Sequence, residues 1–271
     1  MLLNAILLNT ETHYFLSNKQ IESLESCDAK MMQNTFGSLR TTVREAYYLD
    51  GGKIQIRHLI SKRRLMYYFH IISRDPTELI RKVYEIQKLK DCKDDYHKLI
   101  IKEKEKYNIH YTDEQIVRMG KSKFKKLVNT QVNTKAFDEY SNSTKSKLQG
   151  IIKSTKQAKD KKSQVQEYLS TNKLTTAEKQ TLFELRCRNY NVKTNFSSNF
   201  LEDMSCRLCN DPGSIENEEH IFSAACQSSI QVENSKSKFD DIYGSLNQQV
   251  QFIKTYMDYI RKRRIILKQK P

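Results

Sequence analysis

The chain has 271 residues, of which 38% are hydrophobic, and 47 Lys and Arg oppose 32 Asp and Glu to give a net charge of +15. With a mean hydropathy of -0.73, small cores are expected, and the charge favours a polyanionic partner, nucleic acid before an anionic membrane surface. No apolar run approaches the roughly 20 residues of a membrane-spanning helix. Seven glycines, three prolines and no glycine-rich phosphate loop favour helices over strands.

The N-terminal residues predict no secretory signal. Residues 1–8 are apolar, but no basic residue precedes them and polar Asn9 follows. The expected location is therefore intracellular, either nuclear or cytoplasmic, where cysteine thiols stay reduced.

The first part of the chain predicts a helical region. Apolar residues recur at helical spacing between residues 17 and 36, and residues 1–36 are expected to form two helices. The pair Gly51-Gly52 then interrupts an apolar pattern that resumes at Ile56, which predicts helix, tight loop, helix.

Three further segments carry helix-start signals. Asp75-Pro76 predicts a helix that begins at the proline, since proline is tolerated in the first helical position. Thr112-Asp113-Glu114-Gln115 and Thr175-Thr176-Ala177-Glu178 are capping patterns, in which a threonine side chain accepts from the backbone three residues later. Ser122 is expected to open one more helix.

A basic, apolar-poor stretch divides the chain. Residues 141–164 contain seven lysines and the single acid Asp160, a composition typical of a linker or mobile basic arm. The predicted fold class is mostly α, with several short helices followed by a small zinc-binding domain that ends in a C-terminal helix. The predicted boundaries are helical regions at 1–75 and 76–140, a linker at 141–172, and the zinc-binding domain at 173–271.

The segment CRLCNDPGSIENEEHIFSAAC predicts a metal site. Cys206 and Cys209 form a Cys-x2-Cys pair that can aim two thiolates at one ion, and His220 and Cys226 are placed to complete a Cys3His set. Four such ligands leave no open coordination position, so the expected cofactor is a structural Zn²⁺. The alternatives are ordinary buried thiols beside a surface histidine, or a disulfide. Clustering argues against the first, because the remaining cysteines are scattered singly: Cys27, Cys92 and Cys187.

The order of these segments resembles the C-terminal part of a non-LTR retrotransposon reverse transcriptase. LLNAILLNTETHYFLSNKQIESLESCDAKMM is similar to the start of the family's thumb, and RRLMYYFHI with ELIRKVYEIQK is similar to the helical segment after it. LFELRCR, NVKTNF and CRLCN…ENEEHIF resemble the run into the family's zinc knuckle. The resemblance implies a thumb-like helical bundle, a helical connector and a knuckle with the same four ligands. The family usually has four residues between histidine and last cysteine, whereas this chain has five.

The resemblance implies no catalysis by this chain. The polymerase's paired-aspartate hairpin and the endonuclease motifs are not found, and Asp94-Asp95 is interpreted as part of a charged connector. The expected function is a non-catalytic nucleic-acid-binding segment that grips template RNA or target DNA. The alternatives are a truncated retroelement product without independent function and a host-adopted interaction protein.

The expected partners are RNA or DNA, with the rest of a retroelement reverse transcriptase as a further candidate and no membrane. Basic side chains would bind phosphates with salt-dependent affinity. The candidate contacts are Arg63, Arg64, Lys121, Lys123, Lys125, Lys126, Lys145, Lys147, Lys153, Lys156, Arg207, Arg261, Arg263 and Arg264.

Overall fold

A computed structural model describes residues 16–38, 42–90, 95–157, 165–196, 203–209, 213–223, 226 and 238–269. Across these ranges the chain is mostly helical, as predicted, and contains no β-strand apart from one isolated bridge. No described helix is long and apolar enough to cross a membrane. The α-helices are α1 (Asn18–Phe36), α2 (Arg44–Gly51), α3 (Ile56–Ile72), α4 (Leu79–Leu89), α5 (Tyr96–Lys106), α6 (Asp113–Ser141), α7 (Gln149–Gln157), α8 (Glu167–Ser170), α9 (Thr176–Arg186), α10 (Lys193–Phe196), α11 (Glu218–Ile221) and α12 (Leu246–Gln269), with 3-10 turns at Ser146–Leu148 and Phe239–Tyr243.

The helices form two compact units. The first unit contains α3 to α6 and the start of α1, and the second contains the end of α1, α2 and α7 to α12. These units do not follow the predicted boundaries, because α3 packs with α4, α5 and α6 across residue 75, and residues 32–52 belong with the C-terminal helices. Packing between distant segments, rather than composition along the chain, defines the units.

The core of the first unit lies between α3 and α6. Leu65, Phe69, Phe124 and Val128 are buried together in one apolar cluster, and the rings of Phe69 and Phe124 stack with centroids 5.5 Å apart. Two helix faces with apolar residues at three- and four-residue spacing produce this core. Helix α3 also packs against α4 and α5, so most of its side chains are buried.

Two of the three predicted helix starts are confirmed. Thr112 and Thr175 each cap a helix through a reciprocal capping box, with Gln115 and Glu178 respectively. The prediction at Asp75-Pro76 is wrong, since α4 begins at Leu79. The Asp75 carboxylate instead accepts from the backbone N–H of Thr77 at 2.8 Å, which closes a local turn before the helix.

A kink at Gly120 divides α6. Its backbone angles, φ 78° and ψ 159°, lie in a region that is essentially restricted to glycine. The helix resumes directly after it, so the predicted helix opening at Ser122 corresponds to the second part of α6.

We expect Gly120→Ala to lower the free energy of unfolding by about 1–3 kcal/mol, the usual cost of a strained backbone position. A methyl group at this position would meet no atom within 4 Å, so the cost comes from the backbone alone. Urea denaturation measures it, with the exposed Lys123→Ala as a control on the same helix. A neutral or stabilising Gly120→Ala would show that α6 can straighten at no cost.

The lysine-rich segment of the second unit is packed, which contradicts the predicted linker. Leu148, Ile151 and Ile152 are buried, and they share one face because residues three and four apart are neighbours on a helix. Gly150 lies against Tyr243 so closely that a Cβ atom would approach that ring to 2.2 Å. The linker prediction followed the number of lysines and overlooked this short apolar stripe. Residues 158–164 lie outside the described residues.

A buried ion pair joins four segments of the second unit. Arg186 donates to both carboxylate oxygens of Asp50 at 2.7 and 2.9 Å, and both side chains are fully buried. The same guanidinium donates to the carbonyl of Ile242 at 2.6 Å and lies between the rings of Tyr168 and Tyr243. One cation therefore links α2, α8, α9 and the Phe239–Tyr243 turn.

Candidate metal centre

Two short backbone segments pair to position the first cysteines. Ser205 and Ile215 form an isolated antiparallel bridge, and the N–H of Cys206 donates to the carbonyl of Ser214 at 3.0 Å. Because the pairing is antiparallel, the Cys-x2-Cys turn lies beside the segment that returns at Ser214 and Ile215. Residues 210–212, between the two ligand pairs, lie outside the described residues.

Helix α11 positions the histidine. Asn217 is its N-cap and accepts from the backbone N–H of His220 at 2.7 Å, which holds His220 in the first turn. The chain then turns back, with the N–H of Cys226 donating to the carbonyl of Ser223 at 3.2 Å. The fourth predicted ligand thus returns to the first three.

The four predicted ligand atoms come together, all within 4.8 Å of one another. The Sγ atoms of Cys206 and Cys226 lie 3.9 Å apart, and Cys209 Sγ lies 3.4 Å from His220 Nε2. A tetrahedral zinc with its usual bond lengths gives edges of about 3.8 Å between two sulfurs and about 3.5 Å between sulfur and nitrogen. The arrangement therefore fits a metal ion. The five-residue spacing between His220 and Cys226, one residue longer than in the family, still allows Cys226 to reach the other three ligands.

Burial shapes the chemistry of the thiols. Cys206 and Cys226 are buried, whereas Cys209 and His220 are half-buried. Burial raises the pKa of the Cys206 thiol to about 11, with neighbouring Cys226 adding to the effect. A lone thiolate is disfavoured here, whereas a bound cation would stabilise it, since metal coordination deprotonates thiols.

The buried carboxylate of Glu216 connects the ligand loop to α12. Glu216 is fully buried and accepts from the backbone N–H of Arg207 at 2.8 Å and from the Arg263 guanidinium at 2.7 Å. Burial raises the pKa of Glu216, but these arginines hold it below its ordinary value. The contact ties the ligand loop to α12. The sequence analysis did not single out Glu216, although its position between the two predicted ligand pairs was an available signal.

The prediction that Arg64 and Arg263 bind nucleic acid is wrong. Arg263 is buried on Glu216, and Arg64 is buried beside Glu103 at 3.2 Å. A guanidinium enclosed with its carboxylate cannot reach a phosphate. Arg207 is partly exposed, but its guanidinium also donates to Glu216 and to the carbonyl of Asn191.

The other basic residues of the second unit have varied surroundings. Lys145 pairs with Glu45 at 2.6 Å, and Lys147 donates to the carbonyl of Asn195 at 3.1 Å. Lys153 is exposed, and the side chain of Lys156 lies outside the described residues. On α12, Arg261 is exposed and Arg264 pairs with Glu184 at 2.6 Å.

Three of the predicted basic contacts of the first unit lie where α3 and α6 pack: Arg63 and Lys121 line one recess, and Lys125 lies near Lys62. Lys121, Lys123, Lys125 and Lys126 are exposed on α6. Burial, together with the nearby charge of Lys125, lowers the pKa of Lys62 on α3, so positive charges from both helices act on one another. An anion bound here would relieve this repulsion.

A recess of about 390 Å³ lies beside this basic surface. Arg63 and Lys121 line it together with Tyr67 and His70. The rings of Tyr67 and His70 stack at an angle of 23°, with centroids 6.1 Å apart. Sequence reasoning missed Lys62, Tyr67 and His70. The available signal was helical spacing: Tyr67 and His70 follow Arg63 by four and seven residues, which places all three on one face of α3.

Comparison with known proteins does not identify the chain. No protein-family model matches it, and no curated protein or solved structure matches it either. The metal centre and the basic surface are therefore interpreted through their own chemistry.

Proposed function

We propose that the chain is a non-catalytic nucleic-acid-binding segment, of the kind found at the C-terminal end of non-LTR retrotransposon reverse transcriptases. In this proposal the first unit binds RNA or single-stranded DNA, and a structural zinc ion stabilises the second. The observation that carries the binding proposal is the basic surface of α3 and α6 beside the Tyr67–His70 stack.

The ligand chemistry supports zinc in a structural role. Three cysteine sulfurs and one histidine nitrogen form a closed set within 4.8 Å, and such sets bind Zn²⁺ tetrahedrally without a position for water. Glu216 orients the loop from outside the ligand set through Arg207 and Arg263. Supporting contacts of this kind hold ligands in the geometry that a metal requires.

The basic surface supports binding to a polyanion. Lys121 and Lys125 are four residues apart, about 6 Å along α6, and Lys62 and Arg63 approach from α3. Four cations in this area would neutralise several phosphates and release their counterions. Positive charge alone does not select nucleic acid from other polyanions.

The aromatic pair supplies that selection. Tyr67 is half-buried and His70 is exposed, so their rings border the recess at the same place as Arg63 and Lys121. Unpaired bases stack on aromatic side chains, with about 1–3 kcal/mol per base. Because a duplex hides its base faces, the arrangement favours a single strand.

We expect the full chain, prepared with zinc, to bind a labelled single-stranded RNA with a log-log salt slope of about -3, from four phosphate contacts at about 0.7 each. Lys121→Gln with Lys125→Gln should flatten the slope by about 1.4. Fluorescence anisotropy from 50 to about 300 mM KCl measures both. The matched control is Lys102→Gln with Lys135→Gln, two exposed lysines outside the cluster with the same change in net charge.

The stacking contribution is tested separately. His70→Ala should weaken binding about fivefold or more without changing the salt slope, since stacking involves no counterion release. A slope near zero for the wild-type chain would reject nucleic-acid binding. Equal flattening in the control pair would reject the α3–α6 surface as the binding site.

A further inference from the structure

Helix α4 exposes most of its apolar side chains. Leu79 and Leu89 are 77% and 87% exposed, and Val83 and Ile86 are 45% and 49% exposed. The fully buried residue of this helix is Tyr84, which packs into the core of the first unit. Single exposed apolar residues are common on protein surfaces, but contiguous apolar patches mark interaction sites.

The four exposed residues lie on one face. Their spacings of four, three and three residues keep them within about 120° of the helix circumference. The opposite side faces the core through Tyr84 and the partly buried Ile80. The exposed face runs the length of α4, about 16 Å for 11 residues. Anchors at this spacing are those that a second helix uses in helix-on-helix recognition.

The charges around this face are asymmetric. Lys82 and Lys90 are exposed; helical spacing places Lys82 among the apolar residues, and Lys90 follows Leu89 directly at the C-terminal end of the helix. The nearest carboxylate on the helix, Glu85, pairs with Arg81 at 2.5 Å and with Lys88 at 3.3 Å. The face therefore offers apolar surface and positive charge, and its acidic neighbour is already neutralised.

We propose that the exposed face of α4 docks an acidic amphipathic helix of another protein. Leucine-like side chains of such a helix would cover Leu79, Val83 and Ile86, and its flanking carboxylates would meet Lys82 and Lys90. A second copy of the chain complements the face poorly. The same face of a second copy would bring its own lysines toward Lys82 and Lys90, and each copy carries a net charge of +15.

The probe for this proposal is a labelled synthetic peptide of about 18 residues, with leucines at helical spacing and glutamates beside them. We expect micromolar binding to the full chain, at least tenfold tighter than a scrambled peptide of the same composition. Val83→Gln with Ile86→Gln keeps the net charge and should abolish this difference. Lys82→Glu with Lys90→Glu should reverse the preference toward a peptide with lysines in place of glutamates. All four positions are exposed, and circular dichroism verifies that the variants fold.

Three outcomes would overturn the proposal. The first is equal binding of the ordered and scrambled peptides, which would show attraction by net charge alone. The second is a dimer in sedimentation that Val83→Gln with Ile86→Gln dissociates, since the face would then bind a second copy. The third is binding to vesicles of phosphatidylcholine and phosphatidylglycerol that the same variant abolishes, without binding of the peptide, which would identify a membrane surface as the occupant.

Discussion

Cys209→Ser should abolish zinc binding and unfold the second unit, whereas we expect the wild-type chain to bind one zinc per molecule. Cys209 is half-buried, so its replacement removes a ligand with little loss of packing. Structural zinc contributes about 10–16 kcal/mol of apparent binding free energy in small zinc domains, where no site exists in the unfolded chain. Elemental analysis gives the stoichiometry, and thermal unfolding before and after chelation gives the stability.

The matched control for this prediction is Cys27→Ser. Cys27 is exposed on α1 and outside the ligand cluster, so this variant should keep one zinc and the wild-type melting temperature. Helices α3 to α6 contain none of the four ligands and should keep their helical signal after chelation. Stoichiometric zinc in Cys209→Ser, or none in a wild-type chain refolded with zinc, would contradict the assignment.

Arg186→Met should destabilise the second unit by about 3–5 kcal/mol, because it leaves Asp50 as a buried charge without its cation. Arg186→Lys should also be costly, since an ammonium cannot replace the two parallel bonds of the guanidinium. Urea denaturation measures both. Arg261→Gln is the control, as this exposed arginine pairs loosely with Asp258 at 3.4 Å and should cost less than about 1 kcal/mol.

The double variant Asp50→Asn with Arg186→Met tests the pair directly. Removing both charges should cost less than the sum of the single changes, because neither variant residue leaves an unpaired ion. Additive costs would mean that Asp50 and Arg186 act through separate contacts, such as the Asp50 bond to Tyr168 at 2.7 Å.

Local features of this protein were predictable from the sequence alone. The capping boxes at Thr112 and Thr175 depend on residues three positions apart, and those contacts form in most tertiary environments. The metal ligands lie within 21 residues and include a tight Cys-x2-Cys turn, so their spacing predicted that they meet. The helical class followed from apolar spacing, because a helix is closed by hydrogen bonds within its own segment.

Charged residue types did not predict which side chains are exposed, because an arginine or lysine can lie on the surface or be buried beside a carboxylate. Arg63 and Arg64 are adjacent, yet Arg63 lines an open recess and Arg64 is buried with Glu103. Their side chains point in directions about 100° apart on α3, and only the packed neighbours decide which direction is the core. Lysines likewise suggested a linker over α7, where the buried Ile151 and Ile152 hold the segment against the rest of the unit.

Contacts between distant segments were decided by the tertiary structure. Asp50 and Arg186 are 136 residues apart, and Glu216 accepts from Arg263 of α12, 47 residues away. Neither pair could be predicted from neighbouring residues in the sequence, because a buried ion needs a partner of opposite charge and these partners come from distant segments. The exposed face of α4 has the same origin. A helix was predicted here, but both of its sides carry apolar residues, and packing through Tyr84 determined which side remained in solvent.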